Sequence, residues 1–317
     1  MSNDQQTKRE IHQLHPCRVY KAVGFDDEDL QRPTIGIANA FSDMVAGHTN
    51  LRQLAEFVKK GIYLAGGNAV EFGVIGCCDS VGNGTIGGHY ILPSRETIAD
   101  SIEIMANAHR LDGIVLLGSC DKIVPGMLMG ALRANIPAIM LPGGPMLSGP
   151  AFGEKSKADS TTAAETYGKY QKGEASWEDV LNLQYITQPT CGSCNFYGTA
   201  NTMSCTAEAL GLALPDAGAI PAVYNERLRC GKRTGQKIME LVKKQIKPRD
   251  IVTKAAIENA IKYVMATGGS TNAVIHLTAI AYEAGIDPAW TMDAFGRIRG
   301  EIPHIAKINP ASNDYDM

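Results

Sequence analysis

Apolar residues fall in short bursts along the first half of the chain, separated by segments with one apolar helical face. Pro33 to Ala40 (PTIGIANA) reads as a strand ending near Phe41-Ser42-Asp43. From Asn50 to Ala65, Leu51, Leu54, Phe57, Val58 and Ile62 recur on one helical face, with Asn50 as N-cap. Ala69 to Gly76 predicts a second strand, and Gly113 to Gly118 (GIVLLG) a third. Unbroken apolar runs bounded by glycine are those of strands buried on both faces. Between these two strands, Ser94 is placed to cap a helix carrying Ile98, Ile102 and Met105. A helix from about Pro125 suits proline in a first turn, and Ile136 to Leu141 predicts a fourth strand, running into Pro142-Gly143-Gly144-Pro145. This alternation predicts an α/β fold: a parallel sheet with flanking crossover helices.

The second half reads differently. Residues 146–182 are rich in Gly, Ser, Thr and Lys and predict a surface excursion with one short helix after Ser176. Helical patterns over 202–212, 234–245, 254–266 and 271–285 make a mainly helical extension after about residue 200. Residues 1–32 read as a polar arm and 33–317 as one α/β domain. The chain stops at Asn313-Asp314-Tyr315-Asp316-Met317 with no closing element in the pattern, which reads as the end of a fragment.

Composition narrows the function classes. A chain of 317 residues, 44% hydrophobic and 20% charged, can bury a real core. A net charge of −3 gives no basic field, which argues against nucleic acid or an anionic membrane as main partner. The polar first ten residues lack the core of a signal peptide, and no apolar run approaches the ~20 residues of a membrane span. A cytoplasmic protein is expected. Its eight cysteines are too sparse for a disulfide scaffold and would stay thiols there. Cys17, Cys205 and Cys230 stand apart from other reactive groups and read as structural.

The chemistry gathers where strands end, which in open α/β sheets is where ligands bind. Cys120-Asp121-Lys122-Ile123-Val124-Pro125-Gly126 follows the third strand. Its thiolate suits a soft metal such as iron, and its carboxylate a hard cation such as Mg2+. Lys122 could join only if deprotonated or converted by CO2 to an anionic carbamate. The competing reading is a capping aspartate with a solvated lysine. Cys77-Cys78-Asp79 repeats the layout after the second strand. Asp79 is a candidate second Mg2+ ligand, and the adjacent cysteines point to opposite sides, so both are not ligands together. Cys191-Gly192-Ser193-Cys194 is a C-x-x-C shared by thioredoxin-type sites and zinc knuckles. With no second C-x-x-C and no H-x-x-x-H, a structural zinc site is poorly supported. A thioredoxin-type site would need a βα start before it. Gly82, Gly84 and Gly87 match G-x-G-x-x-G by count, but Tyr90-Ile91-Leu92-Pro93 interrupts the context a nicotinamide cofactor requires. His48 could contact a substrate or cluster or simply enter a helix, and His276 reads as a core residue.

Taken together these segments resemble the dihydroxy-acid dehydratase / 6-phosphogluconate dehydratase family. The matching stretches are Leu92 to Glu96 with Ile98 to Ser101, Asn107 to Arg110, Cys120 to Gly126, Gly143 to Met146, Thr190 to Met203, Glu208 to Leu212 and Gly268 to Asn272. The resemblance runs from about Pro33 to Met317. It implies removal of water from a 2,3-dihydroxy acid to give a 2-keto acid. It also implies a 2Fe-2S or 4Fe-4S cluster, whose incompletely ligated iron acts on the leaving hydroxyl, and Mg2+ at the carboxylate and 2-hydroxyl. By motif match, Cys120 and Cys194 are cluster ligands and Asp79, Asp121 and carbamylated Lys122 are Mg2+ ligands. Gly47 stands where many members have a third cluster cysteine, which leaves Cys77, Cys78, Cys191 or His48 to substitute. The catalytic base and a further Mg2+ carboxylate are expected in a C-terminal domain that this chain lacks, so the fragment alone is expected to be inactive. A homodimer and a separately encoded C-terminal domain are further expectations of the resemblance.

Cys120 to Pro125 and Asn195 to Asn201 look like the phosphogluconate branch. Gly47-His48, Asn107-Ala108-His109 and the 203–214 segment look like the branched-chain amino-acid biosynthesis enzyme, which the reading favours. The alternative substrates are 6-phosphogluconate or another sugar acid. The alternative of another class is a non-catalytic iron–sulfur or redox-sensing module working through Cys191 and Cys194.

Overall fold

β1 (Thr34–Asn39) and β3 (Gly113–Gly118) are apolar on both faces because both faces are covered, and they form the middle of a four-stranded parallel sheet. A computed structural model of the chain describes residues 14–150, 157–306 and 308. Parts of the polar arm, the excursion and the C-terminal segment lie outside the described residues. The sheet order is β2-β1-β3-β4, with β2 at Asn68–Gly73 and β4 at Ala138–Pro142. The chain therefore adds β2 on one side of β1, then crosses back to place β3 on the other. Between the carboxyl ends of β1 and β3 lies the switch point where such sheets bind ligands.

The two faces are clad differently. Helices α2 (Leu51–Leu64) and α9 (Asn225–Lys244) cover one, and α5 (Ile123–Ala134), backed by α4 (Gly88–Ala108), covers the other. Two glycines five residues apart in β3 record this. A Cβ on Gly113 would meet Val242 and Ile238 of α9, and one on Gly118 would meet Ile123 and Met127 of α5. A third layer lies against α5: α8 (Thr199–Ala209), α11 (Lys254–Thr267), α12 (Asn272–Glu283) and α13 (Pro288–Ile298). The segment before α8 forms a short ribbon, β5 (Gly149–Pro150) with β6 (Lys157–Ala158), and two helices, α6 (Ser160–Gln171) and α7 (Trp177–Ile186). Helices α1 (Leu14–Ala22), α3 (Asp79–Gly82) and α10 (Pro248–Ile251) complete the set. Among the described residues no helix is long and apolar enough to cross a membrane.

Several local expectations are corrected. β2 ends at Gly73, where its pairing with β1 ends, although the apolar run continues to Gly76; Val74 is buried and Ile75 half-exposed beyond it. Asn50 makes no side-chain cap; its Nδ2 donates instead to the Gly143 carbonyl, 2.9 Å. Ser94 does not start α4, which begins at Gly88 and runs through Pro93, and its hydroxyl donates back to the Ile91 carbonyl. Tyr90 to Pro93 thus lie inside α4, and β2 leads to the glycines through residues 74–78 and the short helix α3. α6 and α13 were not expected, and α9 starts nine residues before its expected start.

That early start has a packing cause. The first half of α9 buries small groups against α2: a Cβ on Gly235 would run into the Val58 carbonyl, and one on Gly61 into the Lys232 carbonyl. No apolar periodicity marks such a contact. Gly235→Ala is expected to lower stability by about 1–3 kcal/mol, an overpacking cost that outweighs alanine's better helix propensity. A urea midpoint equal to wild type would show that the helices separate at no cost.

Candidate active site

The loops after β1 and β4 begin as continuations of the sheet ladder onto β3: Ala40 N donates to Leu117 O (3.0 Å) and Gly143 N to Gly118 O (3.2 Å). At the end of β3, Cys120 takes a left-handed backbone conformation, φ +71°. A non-glycine residue adopts that at a cost of about 1–2 kcal/mol. The turn sends Ser119 and Cys120 to different places. Ser119 Oγ accepts from Gly143 N at 3.0 Å, while Cys120 faces a cavity of about 610 Å3 at the mouth of the switch point.

Six of the residues singled out in the sequence line this cavity: Cys78, Asp79, Cys120, Asp121, Lys122 and Cys194. Asp79 opens α3, and Lys122 sits at the start of α5. The Lys122 ammonium donates to Asp79 Oδ2 at 2.5 Å and lies 3.5 Å from Asp121 Oδ2. The capping-aspartate reading of Asp121 with a solvated Lys122 is therefore not what is seen; Lys122 is buried. Asp79 Oδ1 is buried with no hydrogen-bond partner. Burial, and then the Asp79 carboxylate, raise the pKa of Asp121. For Cys120 the upward shift is large, from burial first and then from the Cys194 and Cys78 sulfurs. Cys194 is pushed up to about 11, by burial and then by Asp121 and Cys78. Three thiols and two carboxylates thus line one cavity, with the ammonium of Lys122 between the carboxylates.

Cys194 is placed by backbone, not by a regular element. Pro145 and Ser193 bridge in parallel, with Ser193 N to Gly144 O and Met146 N to Ser193 O both at 2.9 Å. Gly192 N donates to Ala46 O at 3.0 Å, which ties in the loop after β1. Gly192 holds φ +132°, and a Cβ there would strike the Met146 amide. Asn201 of α8 accepts from Ser193 Oγ (2.7 Å) and donates to Cys194 O (2.5 Å). Gly47 closes the arrangement: a Cβ at this position would lie 2.7 Å from Cys120 Sγ.

Three other candidates, Cys77, Cys191 and His48, fall outside the cavity lining. His48 is fully buried, its Nε2 beside Ser119 O (3.1 Å) and Ser119 N (3.3 Å) and its ring beneath Gly76. It ties the β1 and β3 loops together at the switch point, and burial lowers its pKa.

The donor set fits the groups that the resemblance implies. Soft thiols and hard carboxylates line the same cavity, Asp79 Oδ1 is orphaned, and bare Gly47 leaves Cys120 Sγ uncovered on one side. Among the described residues no three of these side chains close on a single point; they wall a volume instead. The remaining walls are Thr199, Ser270 and Asn272, joined by hydroxyl and amide hydrogen bonds of 2.8 and 3.0 Å, and an apolar side of Ile91, Leu92, Phe196 and Ile275.

His276, expected as a core residue, is one. It is fully buried, and Arg95 Nη1 donates to its Nδ1 at 3.2 Å. Arginine has no acceptor, so the proton resides on Nε2, which has no partner. Burial, then the charges of Arg95 and Lys122, hold its pKa down at about 3. Below the ordinary value of 6.5 the unfolded chain therefore takes up a proton that the folded chain refuses. His276 contributes stability above that value and loses it as pH falls towards about 3. His276→Gln should shrink the drop in urea midpoint between neutral and mildly acidic buffer. An equal drop in both chains would refute the assignment.

Comparison with known proteins agrees across the chain. The family described as Dihydroxy-acid/6-phosphogluconate dehydratase N-terminal matches residues 32–317. A dihydroxy-acid dehydratase of Pyrococcus furiosus is 47% identical over 308 residues, covering 97% of this chain and 55% of that protein. One of Caldanaerobacter subterraneus is 51% identical over 297 residues, 94% of this chain and 52% of that protein. One of Methanospirillum hungatei is 50% identical over 293 residues, 92% and 53%. The chain spans about half the length of the curated relatives it matches.

Proposed function

The chain belongs to the dihydroxy-acid/6-phosphogluconate dehydratase family, whose N-terminal part it matches, and from that premise we propose that it carries the metal-binding half of a dehydratase acting on a 2,3-dihydroxy acid. The observation that carries this is the convergence of Cys78, Cys120 and Cys194 with Asp79, Asp121 and Lys122 on one cavity. In this proposal Cys78, Cys120 and Cys194 hold an iron–sulfur cluster. Cys78 takes the third place because it lines the cavity, whereas Cys191 and His48 do not. Asp79 and Asp121 hold Mg2+, with Lys122 joining as a carbamate. When bound, the two groups supply Lewis acidity at the leaving 3-hydroxyl and at the carboxylate end of the substrate.

The chain's own residues then orient and exclude. Asp79 Oδ1, unpartnered and buried, is free to accept a cation. Thr199, Ser270 and Asn272 offer neutral hydrogen bonds to a hydroxy acid, and Ile91, Leu92, Phe196 and Ile275 suit a hydrocarbon substituent and keep water from it. Among the described residues Lys122 is the one Lys or Arg side chain lining this cavity, and two carboxylates already engage it. A phosphate dianion has no free cation here. That favours a branched-chain dihydroxy acid over 6-phosphogluconate. In this proposal the base that takes the C2 proton lies in the part of the family's proteins that these residues do not match. Cytoplasmic location and homodimerisation belong to the same proposal.

The test is anaerobic reconstitution with iron and sulfide. Serine at position 78, 120 or 194 should each reduce bound iron severely, while Cys191→Ser and His48→Gln retain it. Equal loss at 191 and 78 would remove Cys78 from the set. In the loaded chain with Mg2+, a branched-chain dihydroxy acid should perturb the cluster absorption, and 6-phosphogluconate should not. Asp121→Asn should keep the iron but abolish the Mg2+ dependence of that perturbation; an unchanged Mg2+ titration would sink that assignment.

A further inference from the structure

Arg227, in the first turn of α9, is fully buried, with a side-chain fork directed at carbonyls alone. Nη1 donates to Pro142 O (2.9 Å) and Ala217 O (2.6 Å), Nη2 donates to Ile220 O, and Nε has no acceptor. Among the described residues no carboxylate pairs with it, and burial pulls its pKa down to about 10. A buried cation without a counter-charge is unfavourable, and one in a helix's first turn also opposes the helix dipole. What the guanidinium gains lies in the backbone it satisfies.

Those carbonyls belong to two segments that must meet behind the cysteine loop. Pro142 ends β4, and Ala217 and Ile220 lie in the turn leading to α9. Gly144 lies so close to the fork that a Cβ there would stand 2.8 Å from both Nε and Nη2. Gly144 O in turn receives Ser193 N at 2.9 Å and Ser193 Oγ at 3.3 Å. Pro145 O receives Ala222 N at 2.9 Å, two residues beyond the carbonyl that Nη2 holds. The path from guanidinium to cavity thus runs from Pro142 O along the chain to Gly144, and from the Gly144 carbonyl by hydrogen bond to Ser193 and so to Cys194.

We propose that Arg227 is a positioning residue for Cys194: by pinning the end of β4 to the 217–222 turn, it fixes the strip on which the Cys194 sulfur is presented to the cavity. The inference rests on the reading that Cys194 serves that cavity, but its readout does not require a cluster. In the metal-free 317-residue chain, the rate of Cys194 alkylation by iodoacetamide, mapped by mass spectrometry, reports how often the strip opens. Arg227→Met should raise that rate about tenfold or more, as expected where reactivity follows local opening. Ile298→Ala, buried in α13 far along the chain, should lower the melting temperature without opening Cys194. Should the methionine variant not fold, Arg227→Ala with added methylguanidinium decides the matter: the planar cation restores the slow rate, and methylammonium does not. Alkylation of Arg227→Met no faster than in Ile298→Ala, or equal effects of the two cations, would overturn the proposal. Iron retained by a Cys194→Ser chain would instead refute the ligand reading and leave the alkylation result standing.

Discussion

Backbones from three loops approach one another at the carboxyl end of the sheet more closely than side chains would permit. Gly47, Gly144 and Gly192 make this possible. A Cβ on the first would press on Cys120 Sγ, one on the second on the Arg227 fork, and one on the third on the Met146 amide. The approach lets loops with no regular structure exchange backbone hydrogen bonds, Gly192 to Ala46 and Ser193 to Gly144, as strands do. The cavity inherits its rigidity from the sheet through these bonds, and the placement of Cys194 depends on them.

A second constraint is electrostatic. Burial and nearby negative groups push Cys120, Cys194 and Asp121 towards their neutral forms, and Lys122 is the one ammonium lining the cavity among the described residues. Such a site is costly to keep ionised unless cations enter. In the proposed function, iron held by the thiols and Mg2+ held by the carboxylates would offset that cost.

Much of this was legible along the chain where the local pattern and the tertiary environment agree. β3 is read correctly because both its faces are buried and glycines bound it. Cys120, Asp121 and Asp79 stand out because strand ends are where such residues gather. β2 was read three residues too long because an edge strand stops where its partner stops, which periodicity does not record. The start of α9 was hidden because its buried face consists of Arg227, Cys230, Gly231, Thr234 and Gly235, none of them the large apolar residues that mark a helix face. α13 carried a legible signal, Asp287 as N-cap with Pro288 behind it, that went unread. Nothing local distinguishes His276, whose partner Arg95 lies 181 residues away, or Arg227, whose use appears only once β4 and its turn are in place.

The account stands on where the iron binds. Anomalous diffraction at the iron edge, from crystals of the anaerobically reconstituted chain, would place it directly. The account predicts one cluster in the cavity, bonded to Cys78, Cys120 and Cys194 and open towards Asp79 and Asp121. Iron bound at Cys191, or outside the cavity altogether, would contradict it.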